Sequence, residues 1–344
     1  MRILAGDIGG TKTALAIFEI GPRGRALVRA ERYPSAAYPG LEQIVEIFLA
    51  GETSMPQAAG FGVAGPVRDG AAKVTNLPWR IEELRLARAT GIRRVRVIND
   101  FVSNALGLPF LRAGQLATLA RGRAEPRGPI GILGAGTGLG QACLVPIGDH
   151  HEVVPSESGH ADFAARNPLE DRLVAFLRRQ TGRATREMVL SGKGLVSLYE
   201  FLKTERRARE SRAVAEQFER SDDRAAVISR FGLGRRDALC REALDLFVSI
   251  YGSEAGNCAL EYRATGGVYL AGGIAPKILP ALRRPAFLQA FRSKPPMDGL
   301  LSGIPVRVVL EPRLGLIGAA ATAYRMTMET TRSSRRTRTR RARP

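Results

Sequence analysis

Cysteine, histidine and tryptophan are scarce in this chain of 344 residues: three Cys, three His and one Trp. Cys143, Cys240 and Cys258 stand far apart with no CxxC spacing, which argues against a disulfide framework or a zinc knuckle and suits a reducing cytoplasm. No apolar run is long enough to span a bilayer, and Met1-Arg2 leads directly into Ile3-Leu4-Ala5-Gly6-Asp7 with no apolar leader segment. Neither a membrane nor export is expected. Aromatic residues make up only 6%, and no helix-turn-helix or RNP motif occurs, so specific nucleic-acid binding is not expected despite a net charge of +19. Seven arginines and no acid lie between Arg332 and Pro344. That low-complexity stretch has no apolar face, and 328–344 reads as a disordered tail able to touch polyanions non-specifically.

What remains is a globular composition, 44% hydrophobic with mean hydropathy −0.09, in a chain long enough for two domains. Residues 2–18 read as strand, glycine turn and strand, with Gly6-Asp7-Ile8-Gly9-Gly10-Thr11 at the turn. Residues 130–147 repeat the design around Gly134-Ala135-Gly136-Thr137-Gly138-Leu139-Gly140. Repetition of one unusual hairpin predicts two related α/β halves. The first half reads βββαβαβα, with helices near 41–50 and 81–90. Further helices are expected from Pro168 to Gln180 and over 236–262, and 203–230 reads as an exposed, charge-dense helical excursion. Gly267–Ala271 is a buried strand breaking into Gly272-Gly273, and a small-residue helix follows Leu314.

Glycine turns suit phosphates because backbone amides point into the turn and no Cβ blocks approach. The Gly134–Gly140 run is not a dinucleotide fingerprint: its glycines alternate, and a strand rather than a helix follows. It also lacks the lysine of a Walker loop. Two such hairpins plus Gly272-Gly273 form a three-part nucleotide cradle. Asp7, beside Gly9 and Gly10, has the right chemistry to hold hydrated Mg²⁺, or else stabilises its own turn. Val95-Arg96-Val97-Ile98-Asn99-Asp100 delivers a carboxylate to the end of a strand. There Asp100 either N-caps the next helix or accepts a proton from a substrate hydroxyl. Trp79 reads as core, and His150-His151-Glu152 as a solvated loop.

Gly6-Asp7-Ile8-Gly9-Gly10-Thr11 resembles the first phosphate loop of the sugar-kinase, Hsp70 and actin superfamily. Together with Thr75-Asn76-Leu77-Pro78-Trp79, Ile98-Asn99-Asp100-Phe101, Gly134–Gly140, Glu157-Ser158-Gly159-His160, Leu190-Ser191-Gly192-Lys193-Gly194 and Leu270-Ala271-Gly272-Gly273, it resembles the bacterial glucokinase family in motif order from about residue 2 to 325. The resemblance implies two actin-like (ribonuclease H-like) α/β domains flanking a central cleft. They would comprise 1–110, with the helix 314–327 packing back on it, and 111–313. It implies phosphorylation of the 6-hydroxyl of glucose by ATP and Mg²⁺, a homodimer and a cytoplasmic location. Carried over, Asp100 is the general base, and Asn99, Asp100, Glu157, His160 and Glu187 hold the sugar. Gly9, Gly10, Thr11, Lys12, Gly136, Thr137 and Gly138 line the phosphates. Gly272 and Gly273 lie nearer the adenosine, with Asp7 on the metal through water. Glu187 is expected on a helix. The family usually has glycine where Ser156 and Ser158 stand and asparagine where Lys12 stands, and this chain lacks the CxCGxxGC zinc cluster of the related repressor–kinase family. A kinase of another hexose, and a non-catalytic sensor or chaperone-type ATPase expected to carry an added domain, are the alternatives.

Overall fold

The computed structural model describes residues 1–21, 24–148 and 150–341, with side chains in the last helix described as far as Met328. The chain divides into two compact units: unit 1 comprises Met1–Leu111 and Glu311–Pro344, and unit 2 is Arg112–Leu310.

Unit 1 is built on β1 (Arg2–Ile8), β2 (Lys12–Gly21), β3 (Gly24–Pro34), α1 (Leu41–Leu49), β4 (Ala58–Val63), a small sheet of β5 (Val67–Arg68), β6 (Ala71–Lys73) and β7 (Arg80–Glu82), then α2 (Glu83–Thr90), β8 (Val95–Asn99) and α3 (Asp100–Gly107). The main sheet has the order β3-β2-β1-β4-β8. β1–β2 and β2–β3 are antiparallel hairpins, and β4 and β8 run parallel to β1. Alternation along β1 divides its side chains between two cores, as a pleated strand must. Leu4 and Ile8 join Ile44, Phe48, Phe61 and Trp79 on one face. Ile3 and Ala5 meet Leu316, Ala319, Ala320 and Ala323 of the last helix on the other.

That last helix seats closely because glycines line its bed. A Cβ at Gly60 would collide with the carbonyl of Ala319, one at Gly318 with that of Ser103, and one at Gly107 with that of Leu314. Trp79 is 3% exposed, and its indole N–H donates to the Tyr38 carbonyl at 3.1 Å, so it is a core residue.

Unit 2 contains β9 (Leu116–Ala120), β10 (Ile130–Ala135), β11 (Leu139–Ile147), β12 (His150–Ser156), α4 (Pro168–Thr181), α5 (Gly192–Glu205), α6 (Arg212–Glu219), α7 (Arg224–Leu233), α8 (Ala238–Glu261), β13 (Gly267–Ala271), α9 (Ile274–Lys277), α10 (Leu279–Leu282), α11 (Pro285–Arg292), α12 (Asp298–Gly303) and β14 (Val306–Val309). Its sheet runs β12-β11-β10-β13-β14-β9. The first five strands repeat the connectivity of unit 1: two antiparallel hairpins, then two parallel crossovers. α8 is the central helix of this unit, with fifteen of its 24 residues buried.

Three sequence expectations change here. Residues 203–230 do form helices, yet Val214, Val227 and Ile228 are buried in the unit 2 core, so the excursion is amphipathic rather than exposed throughout. His150-His151-Glu152 opens the edge strand β12 instead of a loop, and its polar character reflects an edge facing solvent. Of the tail expected to be disordered, the backbone of 328–341 continues α13 (Leu314–Arg341), and residues 342–344 lie outside the described residues. All three cysteines are buried and unbridged. Burial pushes the Cys143 thiol up to about 11 and raises those of Cys240 and Cys258, further disfavouring the thiolate. Among the described residues no helix is long and apolar enough to cross a membrane.

Candidate active site

In unit 1 the turn between β1 and β2 is held from beneath. Gly9 N–H donates to the Lys12 carbonyl at 3.0 Å, Ser35 Oγ donates to the Gly9 carbonyl at 2.8 Å, and Ser35 N–H reaches the Thr11 carbonyl at 3.1 Å. Gly10 lies against the carbonyl of Thr75, where a Cβ would come within 2.7 Å, so the Thr75-Asn76 segment packs on the turn. Asp7 is the penultimate residue of β1, with Gly62 of β4 as its parallel neighbour. Gly315, at the start of α13, lets a backbone approach the Asp7 carboxylate, since a Cβ there would stand 2.8 Å from Oδ2.

The end of β8 turns sharply into α3. Asn99 is the N-cap: its Oδ1 accepts from Phe101 N–H at 2.9 Å and Val102 N–H at 3.1 Å, and its Nδ2 donates to the Gly65 carbonyl at 3.2 Å. Asp100 is therefore not the cap that one reading of the sequence made it. It occupies the first helical position, half-buried, where the positive end of the helix favours a carboxylate. Asp7 and Asp100 are close enough to interact. Burial first and Asp100 second push the Asp7 carboxyl up to about 6, while Arg32 pulls it down. A cavity of about 440 Å³ opens beside Asp7, Gly9, Lys12, Arg32 and Arg313.

In unit 2 three separate segments converge on the tip of the β10–β11 hairpin. Gly136 N–H donates to the Gly138 carbonyl, and Gly192 N–H donates to the Gly136 carbonyl, both at 2.8 Å. The latter bond brings in the Leu190-Ser191-Gly192 segment, whose Ser191 caps α5 by accepting from Gly194 N–H at 3.0 Å. Gly272, at φ +79°, lies against the Ala135 carbonyl, a position closed to any side chain. Gly159 packs likewise on the Leu139 carbonyl, and Glu187 Oε2 accepts from Leu139 N–H at 2.8 Å. Thr137 sits in the tip itself, and Gly273 is the N-cap of α9 with open space around its Cα.

Glu157 and His160 flank Gly159 in a short 3₁₀ turn, joined by His160 N–H to the Glu157 carbonyl at 3.0 Å, with both side chains exposed. Ser156 Oγ accepts from Ser158 N–H at 3.1 Å and fixes this turn, while Ser158 Oγ is buried without a partner among the described residues. Glu187 is not on a helix: it lies in an irregular turn five residues before α5, because Ser191 is the stronger cap and the helix starts there.

The structure thus gathers Asp7, Gly9, Gly10, Thr11, Lys12, Asn99 and Asp100 in unit 1. It gathers Gly136, Thr137, Gly138, Glu157, His160, Glu187, Gly272 and Gly273 in unit 2. Arg32 was not anticipated. It stands opposite Ala14 in the β2–β3 register and faces the same cavity as Asp7 and Lys12. A cation on β3 carries no sequence signal before that register is known.

The family model described as glucokinase matches residues 4–326. A glucokinase of Nostoc punctiforme is 44% identical over 338 residues, covering 94% of this chain and 99% of the relative. The chain belongs to the glucokinase family. A second glucokinase, from Synechocystis, is 40% identical over 347 residues, covering 94% of this chain and 98% of the relative. Among solved structures, the glucokinase from an Antarctic psychrotroph has a TM-score of 0.83 at 30% identity, covering 94% of this chain and 99% of that one. A ROK-family glucokinase from Streptomyces griseus, in complex with glucose and AMPPNP, shares the fold at a TM-score of 0.63 and 22% identity, covering 94% of this chain and 100% of that one. The glucokinase fold is the repeated α/β architecture described above, so the two glycine hairpins are corresponding parts of one duplicated plan.

Proposed function

We propose that the protein transfers the terminal phosphoryl group of ATP to the 6-hydroxyl of glucose, giving glucose 6-phosphate and ADP. The observation that carries this reading is a carboxylate, Asp100, presented at the end of a parallel strand in a chain of the glucokinase family. Asp100 accepts the hydroxyl proton as the sugar oxygen forms its bond to phosphorus and the bond from phosphorus to the ADP oxygen breaks. Asn99 uses its side-chain oxygen and one amide hydrogen internally, which fixes its orientation and leaves the second amide hydrogen for a sugar hydroxyl. Glu157, His160 and Glu187 complete the sugar contacts. A carboxylate that hydrogen-bonds a hydroxyl discriminates strongly against sugars lacking it.

Gly10, Thr11, Gly136, Thr137 and Gly138 present backbone to the phosphates, with Lys12 adding charge and Gly272 and Gly273 serving the adenosine. Mg²⁺ fits the donor set. Asp7 offers a hard oxygen ligand, and the burial that raises its carboxyl is relieved by a cation. When bound through Asp7 and its waters, Mg²⁺ neutralises phosphate charge. A homodimer and a cytoplasmic location belong to the same reading and are tested by sedimentation and cell fractionation.

The deciding experiment is a coupled assay for glucose 6-phosphate with ATP and a panel of hexoses, run beside Asp100→Asn. Formation of no sugar phosphate from glucose, or undiminished turnover in the variant, overturns the proposal.

A further inference from the structure

The segment that carries Glu187 has no regular structure of its own. Between α4 and α5 its only ladder contact among the described residues is the isolated bridge of Thr185 to Asp162. Its backbone is tied down by Arg186 N–H to the Ala161 carbonyl at 3.0 Å and Glu187 N–H to the Gly159 carbonyl at 2.8 Å. Both of these partners lie in or beside the 3₁₀ turn of Glu157 and His160, which is itself a surface turn. Gly159 packs that turn on the Leu139 carbonyl of β11, and a second anchor ties the Glu187 segment to the core.

That anchor is the side chain next to Glu187. Arg186, only 15% exposed, reaches α8 with two arms. Its Nε lies 3.3 Å from Glu254 Oε2, and its Nη2 donates to Glu261 Oε1 at 2.8 Å. The two acids are seven residues apart on one helix, hence two turns apart on one face. Glu254 is 3% exposed and held further by Asn257 Nδ2 at 3.1 Å. Asn257 Oδ1 in turn accepts from Lys294 Nζ at 2.6 Å, and Lys294 also donates to Ser253 Oγ at 2.9 Å. Burial raises the Glu254 carboxyl, and the Arg186 guanidinium is the largest influence opposing it. The other acid, Glu261, accepts through Oε2 from Gln141 Nε2 at 2.7 Å. Gln141 is 2% exposed and sits on β11, two residues beyond Leu139. Leu139 is the residue whose N–H meets the Glu187 carboxylate.

Two routes therefore join the same parts. One runs directly from Glu187 to Leu139; the other runs from Arg186 through Glu261 and Gln141 into the same strand. We propose that Arg186 is a positioning residue for sugar binding, which, pinned between Glu254 and Glu261, sets where the Glu187 carboxylate stands against the hairpin tip. The proposal rests on the reading of Glu187 as a sugar contact. A guanidinium suits the task because its planar fork reaches two acids in fixed directions, which an ammonium cannot do. Without it the turn keeps its backbone bonds, but Glu187 is free to shift relative to the hexose, and misplacement of that order weakens ligand grip.

The test uses the full chain in steady-state assays varying glucose and ATP separately. Arg186→Met keeps the aliphatic length and removes both arms, Arg186→Lys keeps charge with a compact head, and Glu261→Gln removes one half-exposed partner. Arg186→Met is expected to raise KM for glucose about 10-fold with KM for ATP nearly unchanged. Arg186→Lys should fall between it and wild type, and Glu261→Gln should move KM the same way by a smaller factor. Glu187→Gln should raise the glucose KM, and adding Arg186→Met to it should bring little further loss, because both changes remove one contact. A purely structural Arg186 would lower Tm and leave the glucose KM of the folded enzyme at its wild-type value, which overturns the proposal. If Arg186→Met does not fold, Glu261→Gln decides. A wild-type glucose KM in Glu187→Gln overturns the reading of Glu187, and the proposal with it. A raised KM in Glu187→Gln beside unchanged values in the other variants overturns the proposal alone.

Discussion

Asp7→Asn separates what this aspartate does for catalysis from what it costs the fold. The Asp7 carboxyl is pushed from 3.8 up to about 6, by burial and then by Asp100, with Arg32 opposing. A carboxyl raised in the folded state binds its proton more tightly there than in the unfolded chain. Its stabilising contribution is therefore complete below about pH 4 and lost as pH rises through about 6. The displacement corresponds to about 3 kcal/mol above neutral pH, a ceiling because the side chain keeps some contact with water. Asparagine is nearly isosteric and does not titrate. Urea unfolding of metal-free and nucleotide-free protein should find the variant more stable than wild type by a margin that grows by about 2 kcal/mol between about pH 4.5 and 7 and then levels off. Turnover should be lost in the same variant, as expected where a functional group is held at the expense of stability. A margin that stays constant with pH, or a variant less stable than wild type at pH 8, would refute the electrostatic account of this site. Arg32→Ala should act in the opposite sense, lowering stability above pH 6 because Asp7 loses the cation that eases its ionisation.

Asp100→Asn should retain glucose binding by calorimetry while turnover falls about 10³-fold, the usual scale for removing a general base. Gly318→Ala should destabilise unit 1 by about 1–3 kcal/mol in urea, because the added methyl strikes the Ser103 carbonyl. Trp79 is the sole tryptophan and is buried in unit 1, so its fluorescence reports that transition directly. Gly272→Ala should raise KM for ATP more than for glucose, since φ +79° and the Ala135 carbonyl both exclude a side chain at the hairpin. An equal effect on both substrates would count against a nucleotide role for that turn.

The parts legible in the sequence were those with a periodic or punctuated signal. Both glycine hairpins stood out because each interrupts two apolar runs without starting a helix, and α8 declared itself by length. The little sheet β5–β7 escaped because strands of two and three residues are too short to show alternation. Glu187 was expected on a helix because Thr185 and Glu187 mimic a helix start, but Ser191 and the tightly packed Gly194 place the start later. The apolar stripe of α6 and α7 was hidden by the density of charge around Val214 and Val227. At the site, residue types and order were readable, whereas Asn99 as cap, Arg32 beside Asp7 and the Arg186 clamp all depend on contacts distant in sequence.

The last helix belongs to the unit that the first residues begin. On a ribosome, unit 2 is complete once Leu310 has emerged, but unit 1 is still missing the layer that covers Ile3, Ala5, Ala16 and Ala58. The earliest-made half is therefore the last to close, and a nascent chain released before Glu311 would carry a bare apolar sheet face as a target for chaperones or aggregation.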